Sequence, residues 1–425
     1  MSSEKANVRI AAAYHVSLSL ITLMLAIVPK LVAIGFVVMF VICLVGFFKK
    51  QFTLKMNAVS WAYVCFYVLY LVGIYFTNDF PNAMKVLEYK LSFVLIPILF
   101  VFRPNFNLKI SYPIVGLAVG IVCISIAGFI KAIAAFQLTH NALVSFTSSN
   151  ICIDHPTYFA AFTMIALGGM WYLYKKDWAG FTILKVLPFV VFGGIMVMLS
   201  YSMSAILFLF LVIAFLIFKW IYEKINRYLA IAVVAAAPVF IYFVVANIPA
   251  LKDEVNNSAK AFSEYVSNPM EYIRGKEEVP TGDKVRLIMW TVTARECLAH
   301  PFGVGTGNVD NHLSSALQDV GQIEMSNKTP NNEIRYNPHN QFLQTTMELG
   351  FLGLAVFVFI LAKGIQWGVR KKNGLLILVI SCLSFNCLFE SMLQRQTGIV
   401  FFTFWICLLS VSVLNWNKSQ STEKE

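Results

Sequence analysis

The chain alternates between apolar runs of roughly twenty residues and short polar connections. A helix of that length crosses ~30 Å of hydrocarbon. Twelve such runs are predicted, at 10–28, 31–48, 58–76, 84–102, 112–136, 157–174, 182–201, 203–222, 228–247, 340–362, 373–390 and 396–415. The connections after the even-numbered runs are basic: Lys49, Lys50 and Lys55, then Arg103 and Lys109, Lys175 and Lys176, Lys219, Lys224 and Arg227, and Arg370, Lys371 and Lys372. Lys and Arg collect on the cytoplasmic side, so these loops and both termini are expected inside. The opening MSSEKANVR precedes a full-length run and reads as a cytoplasmic tail, not a cleaved signal. One connection departs from the pattern. Residues 248–338 are long and polar, and the same count puts them outside. A loop of that length is usually functional or has structure of its own. The expected fold is an all-α polytopic membrane bundle with about twelve transmembrane helices and a large external loop containing short helices. Its divisions are an N-terminal bundle of about nine spans at 1–247, the loop at 248–338, and a C-terminal bundle of about three spans with a cytoplasmic tail at 339–425.

Within the loop, DKVRLIMWTVTARECLAH (Asp283 to His300) places Val285, Met289, Val292 and Cys297 at roughly helical spacing. Asp283 suits the N-cap and Pro301 stops the helix. FGVGTGN follows. It reads either as an anion-binding nest or as a tight turn packed on the membrane face. The next run opens on NPHNQFLQTTMELGFLG. Asn337 suits an N-cap and Pro338 the first helical position, which puts His339 in the first turn. Phe342, Leu343, Thr346, Gly350 and Gly353 then share its face. The two glycines would admit a neighbouring helix. His339 is either a base held above a tight seam or the cap of an interfacial helix.

Composition agrees with a membrane bundle: 58% of residues are hydrophobic and 13% charged, against about 45–50% and about 25% in soluble domains. The net charge of +11 belongs to the loops, so it is not a nucleic-acid signal. Of eight cysteines, Cys43, Cys65, Cys123, Cys382, Cys387 and Cys407 fall in predicted spans. Cys152 and Cys297 fall in loops, where a disulfide between them is one option. No CxxC or HExxH motif suggests a metal.

PHNQFLQTTMELGFLG resembles the signature of the O-antigen ligase and polymerase superfamily: His-Asn, a spacer of about nine residues, then Gly-x-x-Gly. The upstream VRLIMWTVTARECLAHPFGVGTGN is similar to that family's external loop, with Arg-x-x-x-Trp and then Pro-x-Gly-x-Gly-x-Gly. The late position of the loop fits too. The resemblance implies a fold of the GT-C type. It also implies an inner-membrane enzyme, active on the periplasmic side, that moves a glycan from a polyprenyl diphosphate to a hydroxyl acceptor without metal, cofactor or nucleotide sugar. It assigns catalytic roles to His339 and Arg286, with Trp290, Asn340, Gly350 and Gly353 in support. A base near neutral pKa suits the acceptor hydroxyl, and a guanidinium suits the leaving diphosphate. Another family arginine, in a Ser-Arg context, is replaced here by Met203 in LSYSMSAILF.

Other ionisable residues are candidates for the missing cation. Lys90, in a predicted span beside Glu88, either contacts the donor or snorkels to the interface. Arg395, Arg295 and His155 are further donor-binding candidates, each with a plain solvated or helix-start reading; His155 is also a candidate second acid–base group, and Arg335 reads as solvated or in contact with phosphate. Glu390 either orients His339 or Arg286 or pairs with Arg395. The leading expectation is ligation of O-antigen to lipid A–core in lipopolysaccharide biosynthesis. Polysaccharide polymerisation and protein O-glycosylation are alternatives from the same superfamily. A lipid-linked glycan transporter or flippase is the alternative of another class, although no repeat between halves is visible, as transporters usually show. A lipid-binding scaffold stands further off.

Overall fold

The computed structural model describes residues 2–422 apart from 153–154, 248, 275–282 and 327–336. Each of the twelve predicted runs is mostly helical. Among the described residues seven helices are long and apolar enough to cross a membrane: Val8–Ile27, Pro29–Phe48, Ala58–Phe76, Ser111–Thr139, Met203–Lys224, Gln341–Arg370 and Gln396–Leu414. Shorter apolar helices lie at Ile183–Leu199, Arg227–Ala236 and Gly374–Asn386. The chain is a multi-pass helical membrane protein.

Three runs differ from expectation. The one predicted at 373–390 ends at Asn386 and leaves Glu390 in the connection that follows. The stretch predicted at 84–102 starts earlier and is interrupted, with helices at Phe80–Lys90 and Ser92–Leu99. Pro97 lies inside the second piece and removes a ladder donor there. Glu88 is exposed while Lys90 is buried, so the two charges do not share a buried site. The run predicted to open at 340 begins with buried polar residues: Gln341, Gln344, Thr345, Thr346 and Glu348. Its backbone then breaks at Gly350, at φ 70° and ψ −172°. The continuous apolar part starts at Phe351.

Contacts between connections sort them to two ends. At one end Phe52–Leu54 pairs antiparallel with Phe102–Pro104, and Arg103 Nε donates to the Lys55 carbonyl at 3.0 Å. The connections after the second and fourth runs are thereby joined, as their shared basic character predicted. At the other end the 303–307 turn packs on Gly73, Phe76 and Ala83, at the junction of the third and fourth runs. The connection between the last two helices meets His339 at this same end.

Small residues set the closest packing. A side chain at Gly116 would put its Cβ 2.1 Å from the Ser19 carbonyl oxygen. Thr22 Oγ1 donates across the same seam to the Pro113 carbonyl at 2.8 Å. Apolar solvent gives helices no hydrophobic reason to associate, so close backbone approach and such bonds hold them together. The last helix is the innermost, with 83% of its apolar window buried against 11% for Met203–Lys224. Phe401, Phe402, Phe404 and Trp405 are fully buried on it, and Phe401 stacks on Phe162 at 3.6 Å between centroids.

Candidate active site

The candidate site is built from three connections and one amphipathic helix. His339 does not lie in a helical turn. The helix starts at Gln341, and Asn340, not Asn337, is its cap: Asn340 Oδ1 accepts from the backbone N–H groups of Phe342 and Leu343 at 2.9 and 3.1 Å. His339 sits before the cap in the left-handed region at φ 47°, a strained backbone for a residue with a Cβ. Asn337 holds it there by accepting the His339 N–H at 2.8 Å and the Ser391 hydroxyl at 3.1 Å. Asn340 Nδ2 also donates to the Leu388 carbonyl at 3.1 Å. Both asparagines therefore fasten the histidine turn to the 387–393 connection.

That connection carries Glu390. Its carboxylate faces His339 Nδ1 at 3.2 and 3.3 Å, and both side chains are partly buried. Of the alternatives for Glu390, the geometry brings it to His339. Burial alone would raise the Glu390 carboxyl. The hydrogen bond from His339 and the charges of His339, His155 and Arg286 outweigh burial and hold it below the ordinary carboxylate range. Four residues chosen from the sequence, His339, Glu390, His155 and Arg286, thus converge electrostatically, although they come from separate elements. A carboxylate on Nδ1 fixes the ring's orientation and directs Nε2 away from Glu390.

Arg286 and Trp290 lie on the Asp283–Ala299 helix, as the periodicity predicted. Trp290 lines an open cavity of about 530 Å³ with Tyr265, Arg295, Asn340, Phe342 and Leu388. Its indole Nε1 is buried without a hydrogen-bond partner among the described residues. Arg295 is exposed on the same helix. His155 immediately precedes the Pro156–Lys175 helix, edge-on to Tyr158. Arg395 is exposed just before the last helix. Arg335 lies outside the described residues.

Met203, where the family arginine was expected, is 75% exposed. Its neighbours point inward: Ser202 Oγ donates to Thr157 Oγ1 at 3.2 Å and Ser204 Oγ to Asn386 Oδ1 at 2.9 Å. Position 203 therefore borders the elements that carry His155 and Glu390.

Lys90 does not replace that arginine. Its side chain neither snorkels nor opens to a cleft. It is 1% exposed, donates to the Leu393 carbonyl, and lies 5.0 Å over the Tyr70 ring. The charge of Glu348 acts on it. Glu348, overlooked in the sequence, is 2% exposed. It accepts from the Gly307 N–H at 3.2 Å and from Gln394 Nε2 at 3.4 Å. Its signal was available: a carboxylate inside a run predicted to cross the membrane needs buried partners.

The glycine turn is not an anion nest. Gly303, Gly305 and Gly307 all have positive φ, at 88°, 95° and 75°. Their N–H groups and those between them are spent on protein acceptors: His300, Met347, Glu348 and Gly73 carbonyls, and the Glu348 carboxylate. Gly350 seats this turn. A Cβ there would lie 2.5 Å from the Pro301 carbonyl oxygen, so its small size admits the turn and not a neighbouring helix. A Cβ on Gly353 would meet Leu349 of its own helix at 2.4 Å. All eight cysteines are free, Cys152 and Cys297 included.

The arrangement defines a class first. A multi-pass helical membrane protein positions an imidazole–carboxylate pair and an arginine-bearing helix at one end of its bundle. Residues 188–358 match the family model described as O-antigen ligase, a segment that holds Arg286, the glycine turn and His339. That match supports the O-antigen ligase and polymerase superfamily, as the two motifs implied. No curated protein matches the chain.

Proposed function

We propose that this protein is a membrane glycosyltransferase that moves a glycan from a polyprenyl diphosphate to a hydroxyl acceptor. The observation that carries the reading is the His339–Glu390 pair, with the charge of Arg286 reaching the same carboxylate. In the proposed step His339 Nε2 takes the acceptor's hydroxyl proton. The acceptor oxygen bonds to the anomeric carbon as the bond from that carbon to the phosphate oxygen breaks. The diphosphate leaves with the electron pair, opposite the Arg286 guanidinium, a fixed cation suited to phosphate oxygens. Glu390 orients the ring and stabilises the imidazolium that forms.

The mostly apolar cavity beside Trp290 and Asn340 suits the lipid side of such a donor. We read all twelve apolar segments as crossings, of a GT-C-like bundle in the inner membrane. The 248–338 loop and the His339 end would then face the periplasm. Transfer to lipid A–core is the leading reaction; repeat-unit polymerisation and protein O-glycosylation use the same chemistry with other acceptors.

The test is deletion of the gene in its host, complemented with wild type or His339→Ala. Surface glycolipid and the polyprenyl-linked pool are then compared. Long chains lost from the glycolipid, retained on polyprenyl and not restored by His339→Ala establish ligation. Single repeat units on the glycolipid indicate a polymerase. An unchanged glycolipid removes both and moves protein glycosylation or transport forward.

A further inference from the structure

A second cluster of chemically able side chains lies further along the Arg286 helix, outside the site above. Glu296 and His300 stand one turn apart on it, and the His300 N–H still donates to the Glu296 carbonyl at 2.8 Å. His312 arrives from the Val309–Asp319 helix, on the far side of the glycine turn. One carboxylate oxygen, Glu296 Oε2, lies 3.7 Å from His300 Nε2 and 3.7 Å from His312 Nδ1. The ligand atoms of all three residues fall within 4.8 Å of one another. The two rings are edge-on, 5.2 Å between centroids, so their nitrogens converge without stacking.

A separation of 3.7 Å is too long for a hydrogen bond. It is close to what donors around one ion require. Ligands at about 2.0–2.1 Å in a tetrahedron lie roughly 3.3–3.4 Å apart. Small side-chain rotations would close the difference, since all three side chains are only partly buried. Two imidazoles and a carboxylate suit zinc and its neighbours, whereas magnesium and calcium prefer all-oxygen shells. The sequence carried half of the signal, a Glu-x-x-x-His pair on one helical face. The third ligand needed the fold.

We propose that Glu296, His300 and His312 bind one zinc-type divalent ion, which staples the Arg286-bearing helix to the helix that follows the glycine turn. The ion is structural in this proposal, and the inference does not depend on the glycosyl-transfer reading. A clamp at this point would fix the helix that carries Arg286 and Trp290 against the turn seated on Glu348 and Gly350.

The test uses the full chain in detergent, purified through a tag without histidine, stripped with chelator and titrated with Co(II). The expected result is one ion per chain, the visible absorption of four-coordinate Co(II), and its loss on adding Zn(II). Outer partners of metal ligands are worth about 10–100-fold in affinity. Loss of a ligand itself, in His300→Ala or His312→Ala, is expected to weaken binding beyond that range. His140→Ala, at an exposed helix end, should bind as wild type does. Zn(II) should also raise the melting temperature of the stripped wild type and not of Glu296→Gln, a readout that stands even if the alanine variants misfold. Stripped wild type that shows neither saturable Co(II) binding nor a melting shift overturns the proposal. So does binding that survives in both alanine variants.

Discussion

Two turns with left-handed backbone meet at the same end of the bundle, and they serve opposite ends. The 303–307 turn is closed in on the protein. Its glycines touch the backbone of Gly73, Phe76, Ala83 and Glu348, and its N–H groups are consumed by buried acceptors. The 337–340 turn is held just as firmly from behind, by Asn337 and Asn340, yet its imidazole remains a third exposed and faces a carboxylate. Both turns read in the sequence as possible chemistry. The difference lies in where the polar atoms go. A turn whose donors are all satisfied within the protein builds the scaffold. A turn that satisfies its backbone and leaves a ring nitrogen directed outward can act on a substrate.

The contrast is broken most severely at the glycines. Gly305→Ala would force a Cβ to 2.7 Å from the Phe76 backbone at φ 95°. The backbone strain costs about 1–2 kcal/mol and the clash adds to it, for a total of roughly 3 kcal/mol or more. The variant is expected to lose most of its folded, monodisperse yield in detergent. A wild-type melting temperature would show that the turn is not structural.

His339→Ala is the converse. It should melt close to wild type while transfer falls by about 10²–10⁴-fold, the usual worth of a general base. A parallel loss of folding and activity would place His339 in the scaffold after all. Arg286→Lys is expected next. It keeps the charge but loses the paired donors. Charge-assisted hydrogen bonds of about 1.5–3 kcal/mol correspond to a fall of roughly 10–100-fold in kcat/KM, with the fold retained. Undiminished turnover would remove Arg286 from the donor site.

Glu390→Gln sharpens the comparison most finely. The Glu390 carboxyl is held below its ordinary value of 4.5 in the folded protein. Its ionic contribution to stability is therefore complete above that value and is lost as pH falls through the lowered folded value. The difference in melting temperature between wild type and Glu390→Gln should shrink as pH falls below 4.5. A difference that grows as pH falls below 4.5 would mean that the carboxyl is raised and that His339 is not its partner.

The helical membrane class was legible along the chain because hydrocarbon enforces it: apolar runs of membrane length must be helices, since no water satisfies their backbone. The shared basic connections correctly put the loops around Lys55 and Arg103 at one end. His339 and Arg286 were singled out by motif, and Trp290 and Glu390 were recognised as their possible company. What the chain order withheld was pairing. Glu390 had three candidate partners in the sequence, His339, Arg286 and Arg395, and only the folded 387–393 connection brings it to His339. Lys90 read as a donor contact or a snorkelling lysine because its one-dimensional setting is apolar. In three dimensions it is satisfied by the Leu393 carbonyl and Tyr70. Asn337 looked like a helix cap, and the cap is Asn340, because the left-handed His339 cannot continue into a helix. Sequence by itself determined which segments are apolar enough to enter a membrane and which residue types are able to carry chemistry, as both follow from local transfer energies and side-chain inventories. Only the tertiary structure decided which polar groups are spent on the protein and which stay partly exposed, because that depends on partners tens or hundreds of residues away.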